Sequence, residues 1–349
     1  MHSSTSSSKA LVWGRPFGLV LGRKGARNGI IALLAGLVLF FIALEMTSPL
    51  VLAHLSRTEQ RVDNELRVAA GLRPTTSDGR PTVLIAGNSL LIEGVVMPDL
   101  HDDLARQYEV KRLAIEQTHY LDWYFGLSRL LQEGFRPGLI VLALATDQLA
   151  SSNTLGESFA HRQLSLRDFP RAVRECRLDR TTASTYLFAH WSRWLANKGF
   201  IRQCVDILVF PKFRELAGRI ADHGPHVDDP AVLIAMARER LPQLRDLSRQ
   251  FGVPIVLLVP PTLRQDHSGE IQELGNQVGV PIWVLSTAAE FPRELFRDGF
   301  HLNRRGATMY TTRLSQQIRS LSAKPSGCAA DNPMTCMLVS PDAGTQTGH

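Results

Sequence analysis

The stretch TVLIAGNSL at residues 82–90 predicts the first strand of the α/β domain and the turn that follows it. The run from Thr82 to Ala86 is short and apolar, as a buried strand is, and Gly87 and Asn88 are turn residues. The pattern predicts that Ser89 lies just past the carboxyl end of a strand, where open α/β sheets bind their ligands. A serine hydroxyl there becomes a good nucleophile only when a base takes its proton.

A second short motif, DGFH at residues 298–301, lies far along the chain. It places a carboxylate three residues before a histidine. An imidazole takes the serine proton best when an acid fixes its tautomer. The two motifs together predict Ser89 as nucleophile, His301 as base and Asp298 as the acid that orients the base.

Short apolar runs alternate with helical periodicity from residue 81 onward, which is typical of a parallel α/β sheet. The expected strands are residues 82–86, 108–115, 139–145, 254–259 and 281–285, and the expected helices are residues 97–106, 120–134, 229–251, 266–278 and 304–321. We therefore predict a flavodoxin-like three-layer α/β/α domain over residues 81–322. Its central five-stranded sheet should be mostly parallel.

Residues 150–225 interrupt this alternation and predict a mainly helical insertion after the third strand. The segment contains several aromatic residues, namely Tyr186, Phe188, Trp191, Trp194 and Phe200. They favour one of two interpretations: a lid or acceptor-binding surface that touches the membrane, or a small core of the insertion itself.

The net charge of +6 comes from a short N-terminal arm. Residues 1–28 hold five basic side chains and no acidic one, and without these five the chain has 34 basic and 33 acidic residues. A nearly neutral remainder argues against a nucleic-acid-binding protein.

Residues 29–44 are uncharged and apolar, and the apolar character continues to residue 53 after a short interruption. This predicts a single-pass signal anchor over residues 29–53, with the basic arm in the cytoplasm and the rest extracytoplasmic. A cleaved signal peptide and a buried core helix are the alternatives. Residues 54–80 are expected to be a stalk, and residues 323–349 a flexible tail.

The strand followed by Gly87-Asn88-Ser89-Leu90, with the later Asp-x-x-His, resembles the SGNH (GDSL-like) hydrolase superfamily. The Leu302-Asn303 that follows also resembles the family's start of the last helix, with Asn303 a candidate N-cap. The resemblance implies a triad of Ser89, Asp298 and His301, and no metal or organic cofactor.

The resemblance also implies three donors to the oxyanion: the Ser89 N–H, a glycine N–H after the second strand and an asparagine amide after the third. This sequence has neither the glycine nor the asparagine at the expected positions. The candidate oxyanion and substrate-binding residues are therefore Ser89, Gln117, Thr118, Thr146, Gln148 and Asn153. Asn88 is expected to be positional, and His119, His161 and His190 to be surface or core residues.

The function that the resemblance implies is that of a serine esterase or O-acyltransferase, working through an acyl-serine, on acylated saccharides of the cell surface. Such a protein would lie in the bacterial cytoplasmic (inner) membrane with its α/β domain in the periplasm, and it would work with envelope polysaccharide machinery. Two alternatives stay open: an inactive SGNH-fold assembly subunit, and a lipase or thioesterase.

Overall fold

The computed structural model describes residues 23–210, 229–263, 267–286 and 290–323. The predicted tail and most of the basic arm lie outside these residues, as does the last part of the predicted insertion. Cys328 and Cys336 are eight residues apart, a spacing that would allow a disulfide, and they also lie outside the described residues. Cys176 is a free thiol.

Five parallel strands form the central sheet in the order β2-β1-β3-β4-β5. They are β1 (Thr82–Gly87), β2 (Glu109–Ala114), β3 (Leu139–Ala143), β4 (Ile255–Val259) and β5 (Ile282–Val284). Each lies where the sequence predicts a strand, so the parallel α/β prediction is confirmed. Since all strands run the same way, their carboxyl ends meet at one edge of the sheet.

Helices connect the strands and cover both faces of the sheet. They are α1 (Arg23–Leu55), α2 (Arg57–Ala70), α3 (Ser89–Gly94), α4 (Met97–Leu104), α5 (Tyr120–Gln132), α6 (Thr146–Ala150), α7 (Glu157–Arg162), α8 (Phe169–Glu175), α9 (Arg180–Trp191), α10 (Arg193–Val209), α11 (Pro230–Phe251), α12 (Ser268–Val278) and α13 (Arg304–Ala323). A 3₁₀ turn, Arg293–Leu295, lies before α13.

The two faces of the sheet have separate apolar cores, because successive strand residues point to opposite sides. Leu84 and Ile140 pack with α2, α5, α11 and α12 on one face. Val83 and Val141 pack with α3, α4 and α13 on the other face. Strands β1 and β3 are buried on both faces, as inner strands of a doubly covered sheet are.

The segment predicted to be a stalk, residues 54–80, differs from that expectation. Its helix α2 packs on the domain, with Val62 and Ala69 buried. Glu65 accepts hydrogen bonds from the Arg112 side chain at 2.7 Å and from the Ala114 N–H at 2.7 Å. The polar composition that suggested a stalk is the solvent face of an amphipathic helix.

The first of two compact units is Met1–Thr47, and the second is Ser48–His349. Within α1, Arg27–Leu52 is a 26-residue stretch with a mean hydropathy of 2.5. The residues of its most apolar part are not buried. By length and composition this helix could cross a membrane.

Candidate active site

Ser89 is held at the carboxyl edge of the sheet by a strand that is buried along its whole length. Strand β1 ends at Gly87, Asn88 caps the next helix, and Ser89 is the first residue of α3. A Cβ on Gly87 would lie 2.8 Å from the Ala143 carbonyl oxygen, so only glycine lets β1 and β3 approach this closely here. The Ser89 side chain is partly exposed and can therefore be reached from solvent.

Asp298 and His301 lie on a short loop that leads into α13. A bridge between Phe296 and Leu302 closes the loop, and Gly299 has a φ of 83°. Asn303 accepts a hydrogen bond from the Gly306 N–H at 3.1 Å, which confirms the predicted N-cap of the last helix. Local interactions thus fix where the loop ends.

The structure brings the three predicted triad residues together. His301 Nε2 lies 3.0 Å from Ser89 Oγ, and His301 Nδ1 lies 2.8 Å from Asp298 Oδ2. The other carboxylate oxygen accepts the backbone N–H of His301 at 2.7 Å and of Phe300 at 3.0 Å. A carboxylate, an imidazole and a hydroxyl in this order can pass a proton from serine to histidine.

Asp298 remains charged in this arrangement. Partial burial works to raise its pKa, but the hydrogen bonds from His301 and Phe300 outweigh that effect and hold the pKa well below its usual range. A charged Asp298 accepts a hydrogen bond from the Nδ1–H of His301, which leaves His301 Nε2 free to act as the acceptor for the Ser89 hydroxyl.

Asn88 links the nucleophile turn to the ends of both neighbouring strands. Its side chain is fully buried. The Leu90 N–H donates to Asn88 Oδ1 at 3.1 Å, which identifies the other side-chain atom as Nδ2. That amide donates to the Thr118 carbonyl at 2.9 Å and to Gln148 Oε1 at 2.8 Å. Asn88 therefore holds the segments after β2 and β3 beside Ser89.

Gln148 is oriented by the same network. The Ala145 N–H also donates to Gln148 Oε1, at 3.1 Å, so this atom is the oxygen and the other is the amide nitrogen. Among the described residues, Gln148 Nε2 makes no hydrogen bond. The side chain thus has its acceptor fixed and its donor available for a ligand.

The turn after β2 has the backbone conformation that the missing glycine would favour. Gln117 has a φ of 60°, in the left-handed region. The next residue, Thr118, is buried, and its hydroxyl donates to the Ile115 carbonyl at 2.6 Å and accepts from Trp123 Nε1 at 2.9 Å. The Thr118 hydroxyl is thus occupied, and the backbone N–H groups of this turn remain the candidate donors.

The other two candidates occupy different environments. Thr146 is buried at the start of α6, two residues before Gln148. Asn153 is exposed in the segment after α6, where its backbone N–H donates to Ser151 Oγ at 3.2 Å. In the part of the chain that the structure describes, no hydrogen bond joins the Asn153 side chain to the Asn88 network.

Sequence reasoning missed a buried carboxylate that ties the insertion to this edge. Asp122 is fully buried and accepts the N–H of His119 at 2.8 Å and of Leu155 at 2.8 Å. Burial raises its pKa to about 7, against the two N–H donors that favour the charged form. The only sequence signal was its position three residues after the helix start at His119.

A buried arginine holds the same segment from the other side. Arg240 of α11 is 3% exposed and donates to the carbonyls of Leu149 and Ser151, the latter at 2.8 Å. Its guanidinium also lies 4.8 Å from the centre of the Tyr120 ring. The signal in the sequence was a charged residue on the apolar stripe of a helix, beside Ala237 and Leu241.

His119 is a third residue whose setting the sequence did not reveal. It directly follows the turn that contains Thr118, and its Nδ1 is buried with no hydrogen-bond partner among the described residues. Burial lowers its pKa, while the nearby charge of Asp147 raises it and that of Arg240 lowers it. A half-buried imidazole therefore lies at the same sheet edge as the triad.

Strand order, the position of the serine after β1 and the Asp-x-x-His loop before the last helix agree with the resemblance seen in the sequence. The chain has the five-stranded parallel α/β fold that the resemblance implies. Ser89, His301 and Asp298 occupy in it the positions that the resemblance implies.

The matches of the chain among known proteins are distant ones to solved structures. No protein-family model matches the chain, and no curated protein matches it. Among solved structures, TesA matches at 14% identity with a TM-score of 0.35, over 68% of this chain and 98% of TesA. A catalytic mutant of Axe2, an acetylxylan esterase from Geobacillus stearothermophilus, matches at 10% identity with a TM-score of 0.34, over 71% of this chain and 96% of Axe2. Both likenesses are low, and the function proposed below depends on this chain's own geometry.

Proposed function

We propose that this protein is a membrane-anchored serine esterase or O-acyltransferase that works through an acyl-Ser89 intermediate. The observation that carries the proposal is the continuous relay from Asp298 through His301 to Ser89, with contacts of 2.8 and 3.0 Å. A serine, an imidazole and a carboxylate at these distances form the proton-transfer unit of acyl-transfer enzymes.

The relay activates Ser89 for attack on an ester carbonyl. As Ser89 Oγ bonds to the carbonyl carbon, His301 Nε2 takes the hydroxyl proton, and the charge of Asp298 stabilises the imidazolium. The tetrahedral intermediate collapses when His301 returns that proton to the leaving alcohol, which leaves the acyl group on Ser89. Water or a second hydroxyl then attacks the acyl-serine, with His301 again acting as base.

We assign the oxyanion donors to the Ser89 N–H, a backbone N–H of the Gln117–Thr118 turn and Gln148 Nε2. Asn88 brings the last two groups to the nucleophile, and the left-handed Gln117 gives its turn a glycine-like path. Donors that are fixed before the reaction stabilise the developing negative charge without having to reorganise. In this assignment the exposed Asn153 is left to contact substrate, whereas the buried Thr146 is not a substrate contact.

The proposed substrate is an acylated, principally acetylated, saccharide of the cell surface, and the proposed location is the extracytoplasmic side of a bacterial inner membrane. The apolar helix Arg27–Leu52 and the basic arm before it support this orientation. The resemblance in the sequence supports this class of substrate, and an acetylated oligosaccharide tests it after a simple acetyl ester.

The test is turnover of p-nitrophenyl acetate and labelling by a fluorophosphonate probe, both with the full-length protein in detergent. Wild-type protein should be labelled and turn over the ester, whereas Ser89→Ala should lose the label and at least 1,000-fold in kcat, by roughly the factor that triad removal costs. Ser320→Ala, an exposed serine of α13, is the matched control and should behave as wild type.

Two outcomes would replace the proposal. If the folded wild-type protein takes no label, the chain is a non-catalytic subunit that has kept the fold. If long-chain esters are hydrolysed far faster than acetyl esters, the chain is a lipase or thioesterase. Adding an acetylated oligosaccharide with and without a free saccharide acceptor then separates hydrolysis from acyl transfer.

A further inference from the structure

The aromatic residues of the insertion include a buried set and an exposed pair, and Trp194 and Phe200 are half-buried. Tyr186 is buried and packs edge to face on Phe159, with ring centres 6.1 Å apart. Phe188 and Trp191, on the same helix α9, are 65% and 62% exposed. Three residues apart on a helix, these two side chains share one face. The first set makes the insertion's core, and the second set has no part in it.

The exposed pair precedes in sequence a residue that shares a cavity with the end of the apolar stretch. Helix α10 begins directly after Trp191, because Ser192 Oγ accepts the Leu195 N–H at 3.0 Å. Arg193, on the first turn of α10, lines a cavity of about 490 Å³ together with Pro49 and Leu52. Arg193, two residues after the end of α9, and the last residues of the apolar stretch therefore line one cavity.

Those last residues would lie at a membrane surface if the helix spans a bilayer. The stretch Arg27–Leu52 has 26 residues and is about 39 Å long at 1.5 Å per residue, against a hydrocarbon core of roughly 30 Å. The excess length places Pro49 and Leu52 in the interfacial layer. Tryptophan is enriched in that layer because one end of its ring is apolar and the other is a hydrogen-bond donor.

We propose that the aromatic face of α9, defined here as Phe188 and Trp191, docks on the lipid surface of the membrane that holds the protein's own anchor. This inference rests on the proposed anchor. Two large apolar side chains next to an arginine suit the interface between acyl chains and headgroups. Docking would limit how far the α/β domain can swing from the bilayer.

The experiment measures quenching of tryptophan fluorescence by brominated lipids, with the full-length protein in phosphatidylethanolamine and phosphatidylglycerol vesicles. We expect Trp191→Phe to lose at least a third of the lipid-quenched intensity of wild type. The matched control is Trp283→Phe, a nearly buried residue of β5, which should keep the full lipid-quenched intensity.

Flotation of the vesicles after carbonate washing separates this inference from the anchor. Protein that floats, with equal quenching in wild type and Trp191→Phe, would overturn the docking proposal and leave the anchor standing. Protein that does not float would overturn the anchor itself. Crosslinking of the aromatic face to a second copy of the protein, without quenching by lipid, would also overturn the docking proposal and would indicate self-association.

Discussion

The triad side and the oxyanion side of the site are held together in different ways. On the triad side, Asp298 is 43% exposed, and it fixes His301 through hydrogen bonds within four residues of chain. On the oxyanion side, buried groups far apart in sequence meet, as Asn88 bonds Thr118 and Gln148. One half therefore depends on a local loop and the other on the packing of the whole sheet edge.

Substitutions in the two halves should therefore have different effects on activity and stability. Damage to the loop should abolish proton transfer while the fold survives, because few buried contacts are lost. Damage to the buried network should change stability, because buried polar groups that lose their partners are costly. Three substitutions test this contrast.

The largest effect is expected on the triad side from Asp298→Asn. Asparagine accepts the same backbone N–H groups but no longer favours the imidazolium or the required tautomer, so kcat should fall by about 10²–10⁴. The melting temperature should change little. Because the pKa of Asp298 lies well below its usual range, the wild-type carboxylate stays charged through neutral pH.

The matched control for this variant is Glu93→Gln. Glu93 forms an ion pair with Arg297 at 3.1 Å, next to Asp298 in sequence, but it takes no part in the relay. Its removal should leave kcat within about twofold, since exposed ion pairs contribute little. Steady-state kinetics of both variants decide whether the charge of Asp298 itself matters.

A smaller loss of activity is expected on the oxyanion side from Gln148→Glu. Glutamate keeps an oxygen for the Ala145 N–H and the Asn88 amide but replaces the Nε2 donor with an acceptor. Loss of one oxyanion donor should lower kcat by about 10²-fold with KM nearly unchanged. Gln277→Glu, on the exposed side of α12, is the control for added charge. Full activity of Gln148→Glu would assign the oxyanion to backbone donors alone.

The smallest effect on activity, and a clear one on stability, is expected from Asp122→Asn. With a folded pKa of about 7 and an unfolded pKa near 4, wild-type Asp122 releases a proton on unfolding between these values. The contribution of Asp122 to the free energy of unfolding is therefore fully present below about pH 4 and is lost as pH rises through about 7. Asparagine should flatten this decline, which is on the order of a few kcal/mol.

Denaturant titrations of the full-length protein between pH 4.5 and 7.5 measure this slope. Asp102→Asn, an exposed carboxylate on α4, should keep the wild-type pH dependence. An unchanged slope in Asp122→Asn would mean that the carboxylate is charged in the folded protein despite its burial. The loop after α6 would then be held by a charged group and not by a neutral one.

The sequence could predict the five strands and the pairing of Asp298 with His301 because each depends on short-range patterns. A run of five or six mostly apolar residues predicts a strand that is buried on both faces, and β1 and β3 are such strands. The Asp-x-x-His spacing nearly suffices to predict that Asp298 lies beside His301, since the loop is closed by its own hydrogen bonds. Asn303 likewise marks the start of the last helix through a bond to a residue three positions away.

The buried hydrogen-bond network of the site depends on the tertiary structure and cannot be predicted from short stretches of sequence. Nothing in the spacing of residues 88, 118 and 148 indicates that one buried amide joins them, because the sheet order that brings them together is a property of the whole domain. The same holds for Asp122 and Arg240, whose partners lie 33 and 89 positions away in sequence. Local hydrogen bonds can be predicted from neighbouring residues, whereas a buried polar network exists only where packing excludes water and brings distant groups together as partners.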